Sequence, residues 1–534
     1  MTTVGDIPKT VVPERRTFAI ISHPDAGKTT LTEKLLLYGG AIRLAGSVKA
    51  RKSNKYAVSD WMEIERQRGI SVTSSVLQFD YSGYRINILD TPGHQDFSED
   101  TYRTLVAADS AVMLIDAGKG VEEQTRKLFH VCRMRGIPIF TFVNKLDRYG
   151  KDPFALIEEL EQVLGIQAYA MNWPIGMGRD FRGVYNRELQ QLEIFESGHP
   201  DQSVVPSITG HITDSRFKEL LGEQVHRQVC DEIELLDMAG NQFDLDAIQK
   251  GELTPVFFGS AMNNFGVRPF LERFLELAPP PAQRATSKGP INPTDQDFSG
   301  FIFKIQANMN PAHRDRIAFL RICSGKFNRG MKVQHAQSGK IIRMAQPQQF
   351  LAQERTIVEE AFPGDIIGIT DPGIFRIGDT LAEDGGTFRF EGIPSFPPEH
   401  FARVQIPDAM KRKQFIKGIN QLCEEGAVQL FKQPNIGIEA PIVGAVGALQ
   451  FEVLEYRLKH EYGVDVEILK LPYQIARWVA DKSFDGRRLS AMGTMFVQDE
   501  DDLPVILFEE NWAVRSVEKL FPEIELLELS PASF

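Results

Sequence analysis

The stretch Phe18-Ala19-Ile20-Ile21-Ser22-His23-Pro24-Asp25-Ala26-Gly27-Lys28-Thr29 joins an apolar run to a loop that contains glycine, lysine and threonine. A helix-like segment follows, and this order of strand, loop and helix builds a cradle for the phosphates of a nucleotide. The loop N–H groups and the positive end of the helix would face the anion, while Lys28 adds a full charge. Ser22 stands where the usual pattern begins with glycine, so an ordinary strand-to-helix turn is the alternative. The predicted phosphate contacts in this loop are Ser22, His23, Pro24, Asp25, Ala26, Gly27, Lys28 and Thr29.

A second segment, Asp90-Thr91-Pro92-Gly93-His94, closes an apolar run at residues 84–89. In a nucleotide site Asp90 would hold a magnesium ion through water, and the Gly93 N–H would approach the γ-phosphate. The loop would then sense whether that phosphate is present, which makes it a switch as well as a site. The predicted phosphate contacts here are Asp90, Thr91, Pro92 and Gly93.

Two further segments favour guanine over adenine. Asn144-Lys145-Leu146-Asp147 ends the apolar run 139–143, and Gly259-Ser260-Ala261 follows the apolar run 256–258. The Asp147 carboxylate can accept two hydrogen bonds from guanine, whereas adenine would leave it poorly paired. All four segments fall at the carboxyl ends of predicted parallel strands, where an open sheet binds its ligand. The sequence therefore predicts GTP or GDP, with the base held by Asn144, Lys145, Leu146, Asp147, Ser260 and Ala261.

The magnesium ion needs oxygen ligands, and hydroxyl groups supply some of them. Ser71, in Arg68-Gly69-Ile70-Ser71-Val72-Thr73, is the candidate that joins the metal only while the γ-phosphate is present. The alternative interpretation is the start of a β-strand that continues through 74–79. A carboxylate at Asp25 would repel phosphates unless a second cation lies between them, which is our hypothesis for that residue. The predicted metal ligands are Thr29, Ser71 and Asp90.

Taken together, these segments resemble those of the translational GTPases that act on the ribosome. The residues at 22–30, 68–71, 90–94 and 144–147 are most similar to the family of bacterial class II release factors, or release factor 3, which is related to elongation factor G. That family usually has Thr where this chain has Ser71, a change that keeps the hydroxyl and removes a methyl group.

The resemblance implies a ribosome-dependent GTPase of translation termination, which hydrolyses GTP to GDP and phosphate. Such a protein promotes dissociation and recycling of the stop-codon-reading class I release factors, and so stimulates peptide release indirectly. The implied partners are class I release factors and the ribosome, through rRNA and ribosomal proteins, and the implied cofactors are GTP or GDP and Mg²⁺. His94 is implied as the catalytic residue, although a histidine beside a Pro-Gly turn is often structural. The alternative function is a non-ribosomal regulatory GTPase switch that acts on a protein partner.

Composition favours a soluble, multidomain, cytoplasmic protein. The chain has 534 residues and a net charge of −12, and we find no run of about eighteen apolar residues that would indicate a membrane span. We therefore expect no membrane association, and a monomer. Because ribosomal RNA carries the same sign of charge, docking would need local basic patches. The candidate patches are residues 43–55 and the cluster Lys411, Arg412, Lys413 and Lys417.

Changes in pattern along the chain predict three domains. Residues 1–281 alternate apolar runs with helix-like segments, which predicts an α/β P-loop GTPase domain with a doubly wound, mostly parallel sheet. An insertion between about 165 and 250 is expected, because the stretch from Asp147 to Ser260 far exceeds an ordinary loop. Short runs separated by glycine turns predict a β-barrel domain at 295–387, and mixed strands and helices predict an α+β C-terminal domain at 398–534.

Overall fold

The computed structural model describes most of the chain. The described residues are 11–41, 64–65, 71–194, 207–307, 316–344, 346–351, 354–383, 385–391, 393, 396–434, 437–484, 486–489 and 493–530. The predicted basic patch at 43–55 and residues 68–70 of the predicted switch lie outside them. Among the described residues, no helix combines the length and the apolar character that crossing a bilayer requires.

A seven-stranded sheet organises the first part of the chain, in the order β2-β3-β1-β4-β5-β11-β6. The strands up to this point are β1 Arg15–Ser22, β2 Ser75–Tyr81, β3 Tyr84–Asp90, β4 Ser110–Asp116, β5 Ile139–Asn144, β6 Gln167–Ala170, β7 Asn172–Ile175, β8 Gly183–Asn186, β9 Gln191–Ile194, β10 Ser207–Thr209 and β11 Leu253–Phe258. Within the large sheet β2 and β3 are antiparallel, and the other neighbouring pairs are parallel.

Helices cover both faces of this sheet. Those of the first part are α1 Lys28–Tyr38, α2 Ser98–Val106, α3 Glu123–Met134, α4 Pro153–Leu164, α5 Ser215–Leu221, α6 Glu223–Ala239, α7 Leu245–Gln249 and α8 Val267–Leu277. Leu35 of α1 and Phe274 of α8 belong to the core on one face, while Leu105 of α2, Leu128 of α3 and Leu160 of α4 belong to the core on the other. This arrangement confirms the predicted doubly wound α/β fold.

The described residues at 172–194 and 207–249 form a separate layer beside the large sheet. Strands β7 to β10 make a four-stranded antiparallel sheet, and α5 to α7 follow it. Trp173 is fully buried there and donates its indole N–H to Glu232 Oε2 at 2.7 Å. Strand β6, just before this layer, pairs in parallel with β11 and stays in the large sheet.

The middle of the chain is almost entirely β-structure, as predicted. Its strands are β12 Ser299–Ala307, β13 Arg316–Ser324, β14 Phe327–Asn328, β15 Lys332–His335, β16 Ile341–Arg343, β17 Pro347–Leu351, β18 Glu354–Ile357, β19 Glu360–Ala361, β20 Ile366–Thr370 and β21 Thr380–Ala382. Eight of them form one antiparallel sheet, in the order β16-β15-β21-β12-β13-β20-β17-β18. The sheet encloses a core that includes Ile302, Leu320 and Ile367.

The C-terminal part mixes strands and helices, as predicted. Its elements are β22 His400–Gln405, α9 Arg412–Glu424, β23 Gln429–Gln433, β24 Gly437–Ala445, α10 Leu449–Tyr462, β25 Glu467–Leu471, β26 Ile475–Val479, β27 Thr494–Gln498, β28 Pro504–Phe508, α11 Asn511–Leu520 and β29 Leu526–Leu527. Phe415 of α9 and Leu454 of α10 pack on one sheet face. Strand β25 begins later than the apolar run at 464–469 predicts, because the Val464 N–H bonds back to Leu458 O at 3.0 Å in the turn after α10.

A buried arginine joins the β-rich domain to the large sheet. Arg321 of β13 is 1% exposed and donates to Thr17 Oγ1 of β1 at 2.6 Å. It also pairs with Asp109, which precedes β4. Asn87 of β3 donates to the same Thr17 hydroxyl at 3.0 Å. The two domains therefore share a polar network that water does not reach.

Candidate nucleotide-binding site

The ends of neighbouring parallel strands form one edge of the large sheet. Asp90, the last residue of β3, lies opposite Ile20 of β1. Asp116, which ends β4, lies opposite Asn144, which ends β5. Since β11 lies beside β5 and also ends here, the four predicted loops all leave the sheet at this edge. This is the edge at which open α/β sheets bind ligands.

The loop after β1 turns sharply into α1. Gly27 has φ 100°, a left-handed conformation that glycine adopts without penalty, and an added Cβ would collide with the Asn144 amide. Asp25 also has a positive φ, of 65°, and aspartate tolerates this region better than most residues. The backbone thus gives a reason for Asp25 that does not require a cation. Lys28 is buried, and its ammonium group donates to the Thr91 carbonyl of the second loop.

The second loop packs directly on the first. Thr91 is buried and its hydroxyl donates to Ile20 O at 2.7 Å. A Cβ on Gly93 would lie 3.4 Å from the Pro24 Cα, so the absence of a side chain permits this close approach. The residues predicted to contact phosphate in the two loops are therefore neighbours in space.

Asn144 connects three of the predicted loops. Its side chain is almost completely buried; it donates to Ala26 O at 2.9 Å and accepts from the Ala261 N–H at 2.9 Å. These two bonds use both ends of the amide to join the first loop to the loop after β11. The predicted guanine-binding residue Asn144 is thus a structural bridge.

Asp147 and Ser260 are also brought together. The Ser260 hydroxyl donates to Asp147 Oδ1 at 2.7 Å, and the Leu146 N–H donates to Gly259 O at 3.2 Å. Leu146 is fully buried and anchors the loop in the core. The hydrogen bond to Ser260 fixes the Asp147 carboxylate, which suits its predicted role of meeting two donors on a flat base.

Lys145 runs along the first loop. Its ammonium group donates to the Asp25 carbonyl and pairs with Asp116 Oδ2 at 2.7 Å. Burial alone would raise the pKa of Asp116, but hydrogen bonds from Lys145 and the Gly118 N–H outweigh it and hold that pKa below its ordinary value. The sequence reasoning missed Asp116, although its place at the end of an apolar run was a usable signal.

His23 faces a second carboxylate that the sequence reasoning missed. Its Nε2 lies 2.6 Å from Glu122 Oε2, just before α3. Burial lowers the pKa of His23, and the negative charge of Glu122 opposes that shift. Nothing in the spacing of the sequence signals this pair, because it depends on how α3 packs against the first loop.

His94 follows Gly93 and is partly exposed, with 31% of its side chain accessible. Its Nδ1 accepts the Asp96 N–H at 3.2 Å and lies 3.3 Å from the Asp96 Oδ1. Asp96 was not among the predicted site residues. Asp96 therefore contacts the Nδ1 edge of the His94 ring.

The three predicted metal ligands differ in their position relative to the two phosphate loops. Asp90 is buried at the edge of the sheet, and Thr29 lies in the first turn of α1 after the first loop. These oxygen donors fit Mg²⁺. Ser71 lies ahead of β2, and the N–H of the next residue, Val72, donates to Glu65 Oε1 at 2.9 Å. The backbone next to Ser71 is thus hydrogen-bonded to the Glu65 side chain.

Comparison with known families covers all three domains. The Elongation factor Tu GTP binding domain matches residues 13–280. Elongation factor G domain 2 matches residues 297–384, and the C-terminal domain of the class II release factor RF3 matches residues 390–518. The predicted fold class, an α/β GTPase domain followed by a β-barrel domain and an α+β domain, is confirmed.

Whole-chain comparison agrees with the domain matches. A protein named Peptide chain release factor 3 from Symbiobacterium thermophilum is 62% identical over 506 residues, covering 95% of this chain and 96% of the relative. A protein of the same name from Cyanothece is 54% identical over 528 residues, covering 98% and 96%. A crystal structure from Thermus thermophilus shares the fold, with a TM-score of 0.69, 23% identity, and coverage of 91% of this chain and 72% of that one. The chain is thus a GTPase that binds guanine nucleotides and serves translation termination, and it belongs to the peptide chain release factor 3 family of translational GTPases.

Proposed function

We propose that this chain is a ribosome-dependent GTPase that promotes dissociation and recycling of class I release factors from the ribosome, and thereby stimulates peptide release indirectly. The observation that carries the proposal is the meeting of the predicted loops at one sheet edge, with Asn144 bonded to both Ala26 and Ala261. Such a site couples the phosphate loops to the base loops, as a nucleotide-controlled switch requires. The relatives are named peptide chain release factor 3, which supports translation termination as the setting of this activity.

The binding roles follow the sequence predictions. We propose that residues 22–29 and 90–93 contact the phosphates, and that Asn144, Lys145, Leu146, Asp147, Ser260 and Ala261 hold guanine. Lys28 supports the first role, because its buried ammonium group would trade the Thr91 carbonyl for a phosphate oxygen. The Ser260 bond to Asp147 supports the second, because it leaves the carboxylate oriented for the N1–H and 2-amino donors of guanine.

The proposed metal ligands are Thr29, Ser71 and Asp90, which would hold Mg²⁺ together with phosphate oxygens and water. The bound ion would neutralise part of the negative charge on the phosphates. Asp90 supports the assignment by its burial at the end of β3, next to the end of β1. A magnesium ion there would lower the cost of keeping this buried carboxylate ionised.

His94 is the proposed catalytic residue. When Nδ1 accepts the Asp96 N–H, the proton of a neutral ring resides on Nε2. Nε2–H would then donate to the attacking water and fix its position, so His94 orients the water and does not deprotonate it. Positioning of this kind is what phosphoryl transfer chiefly demands of a protein.

Partners, location and domain limits complete the proposal. We infer a cytoplasmic monomer whose domains span 1–281, 295–387 and 398–534, with an insertion between about 165 and 250. Because the net charge of −12 disfavours RNA overall, contact with rRNA would use local basic surface. The exposed Arg412, Lys413 and Lys417 on α9 offer such a surface.

The test is GTP turnover measured alone, with ribosomes, and with ribosomes that carry a class I release factor on a stop codon. We expect slow turnover alone and strong stimulation by ribosomes. Ribosome-bound class I factor should dissociate faster when the protein and GTP are added. Turnover that ribosomes leave unchanged would instead favour a regulatory switch that acts on a protein partner.

A further inference from the structure

The segment after His94 contacts the C-terminal domain. Asp96 Oδ2 accepts the Leu449 N–H at 2.8 Å, across 353 residues of sequence. Leu449 is the first residue of α10, where backbone N–H groups have no partner within the helix. Gly447 leaves room for this contact, since a Cβ there would collide with the Asp96 side chain. The carboxylate of the first domain thus caps a helix of the third.

The same carboxylate also faces the proposed catalytic histidine. Asp96 Oδ1 lies 3.3 Å from His94 Nδ1, and the Asp96 N–H donates to that nitrogen at 3.2 Å. One oxygen therefore accepts from the helix, and the other lies beside the ring nitrogen that already accepts the Asp96 N–H. The Asp96 side chain is 12% exposed, so water has little access to replace either contact.

Apolar packing surrounds these polar contacts. Ile64, Val72 and Phe97 of the first domain form a buried cluster with Val453 of α10. Later in the first domain, Arg103 of α2 donates to the carbonyl oxygen of Gly426, which follows the end of α9, at 3.1 Å. Val72 of the first predicted switch segment and the residues just after the second therefore pack on the C-terminal domain, and Asp96 lies within that contact.

We propose that Asp96 is a positioning residue that makes the orientation of His94 depend on the docking of α10 against the first domain. While α10 is docked, the Leu449 N–H restricts the rotamers of Asp96, and Asp96 restricts the ring of His94. When α10 moves away, the carboxylate loses its partner, and the segment that carries the Asp96 N–H is no longer fixed against His94. The inference rests on the catalytic role proposed for His94. The inference adds that the C-terminal domain acts on GTP hydrolysis through the hydrogen bond between Leu449 and Asp96.

The experiment compares Asp96→Ala and Asp96→Asn in the full-length protein, with GTP and ribosomes as the probe. Asp96→Ala should lower the ribosome-stimulated kcat by at least about tenfold and change the Kd for GDP little. In Asp96→Asn the new amide oxygen can still accept the Leu449 N–H and the new NH₂ group can donate to His94, so kcat should stay within about threefold of wild type. Hydrogen exchange at residues 447–450 should rise in Asp96→Ala and not in Asp96→Asn.

A matched control removes a helix cap elsewhere. Asp244 caps α7 by accepting the Ala247 N–H at 3.1 Å, so Asp244→Ala should raise local exchange without lowering kcat. A purely structural Asp96 would behave in the same way, and an unchanged kcat in Asp96→Ala would overturn the inference. Equal losses of kcat in the Ala and Asn variants would also overturn it, because geometry would then not be the cause.

The double variant separates this inference from the function on which it rests. If His94→Ala slows stimulated turnover to a low but measurable rate, then His94→Ala with Asp96→Ala should be no slower than His94→Ala alone. A further loss in the double variant would show that Asp96 does not act through His94. Full turnover in His94→Ala would instead refute the proposed role of His94 itself.

Discussion

Replacing Asn144 with alanine tests whether the bridge between the loops supports nucleotide binding. The substitution removes two hydrogen bonds of 2.9 Å each, to Ala26 O and from the Ala261 N–H. Both of those alanines are buried, with exposures of 1% and 0%, so water cannot take the place of the amide. Leaving a buried polar group without a partner costs about 1–3 kcal/mol.

The expected effect follows from these contacts. Two unpaired backbone groups give a total of roughly 2–6 kcal/mol, which corresponds to a fall in GDP affinity of about 30- to 20,000-fold if the whole cost falls on the bound state. The measurement is dissociation of a fluorescent GDP analogue, followed after addition of excess GDP. Thermal unfolding of the same variant reports how much of the cost falls on folding instead.

Asn172 supplies a matched control. It accepts the Phe258 N–H at 2.7 Å and donates to Phe258 O at 3.1 Å, so Asn172→Ala removes a similar buried pair at the last residue of β11, outside the predicted nucleotide loops. We expect this variant to lose stability comparable to Asn144→Ala and to lose much less affinity. GDP dissociation from Asn144→Ala that is as slow as from wild type would refute the bridging role.

Two further predictions concern base recognition and pH. Asp147→Asn should weaken GTP and GDP binding and allow xanthosine diphosphate to compete, because the amide offers a donor where guanine needs a second acceptor; competition titrations check this, and wild-type affinity for GDP would contradict it. Burial, aided by the charge of Glu272, raises the pKa of Glu193 from 4.5 to about 7, so the folded state holds a proton that the unfolded state releases between these values. The free energy of unfolding should therefore fall as pH rises through this window, by roughly 3 kcal/mol at about 1.4 kcal/mol per pH unit. Glu193→Gln removes this dependence and should stabilise the protein at pH 8 but not at pH 4.5 in urea unfolding, whereas identical pH dependence of both proteins would contradict the burial argument.

The placement of the candidate loops follows from local sequence pattern. Each loop comes directly after an apolar run, and parallel strands place their carboxyl ends at one edge whatever the order of the strands. The neighbourhood of Gly27, Asn144 and Ser260 could therefore be predicted without knowing the topology. The structure adds the hydrogen bond between Ser260 and Asp147 within that neighbourhood.

Contacts that depend on how separate elements dock could not be predicted in this way. The pair of His23 and Glu122 requires the position of α3, and the bond from Leu449 to Asp96 requires the position of a whole domain. Sequence spacing carries no information about either. Strand β6 is only four residues long, too short for its period to distinguish it from the layer that follows.

The buried Arg321 limits how this molecule can bend. Pulling the β-rich domain away from the large sheet would break the buried ion pair of Arg321 and Asp109 and the bond to Thr17 together. These two domains should consequently move together, and relative motion should take place at the contacts of the C-terminal domain, which include the one between Asp96 and α10. A covalent cross-link between positions 17 and 321 would then leave domain motion unchanged. A cross-link between positions 96 and 449 would hold the C-terminal domain in one arrangement against the first domain.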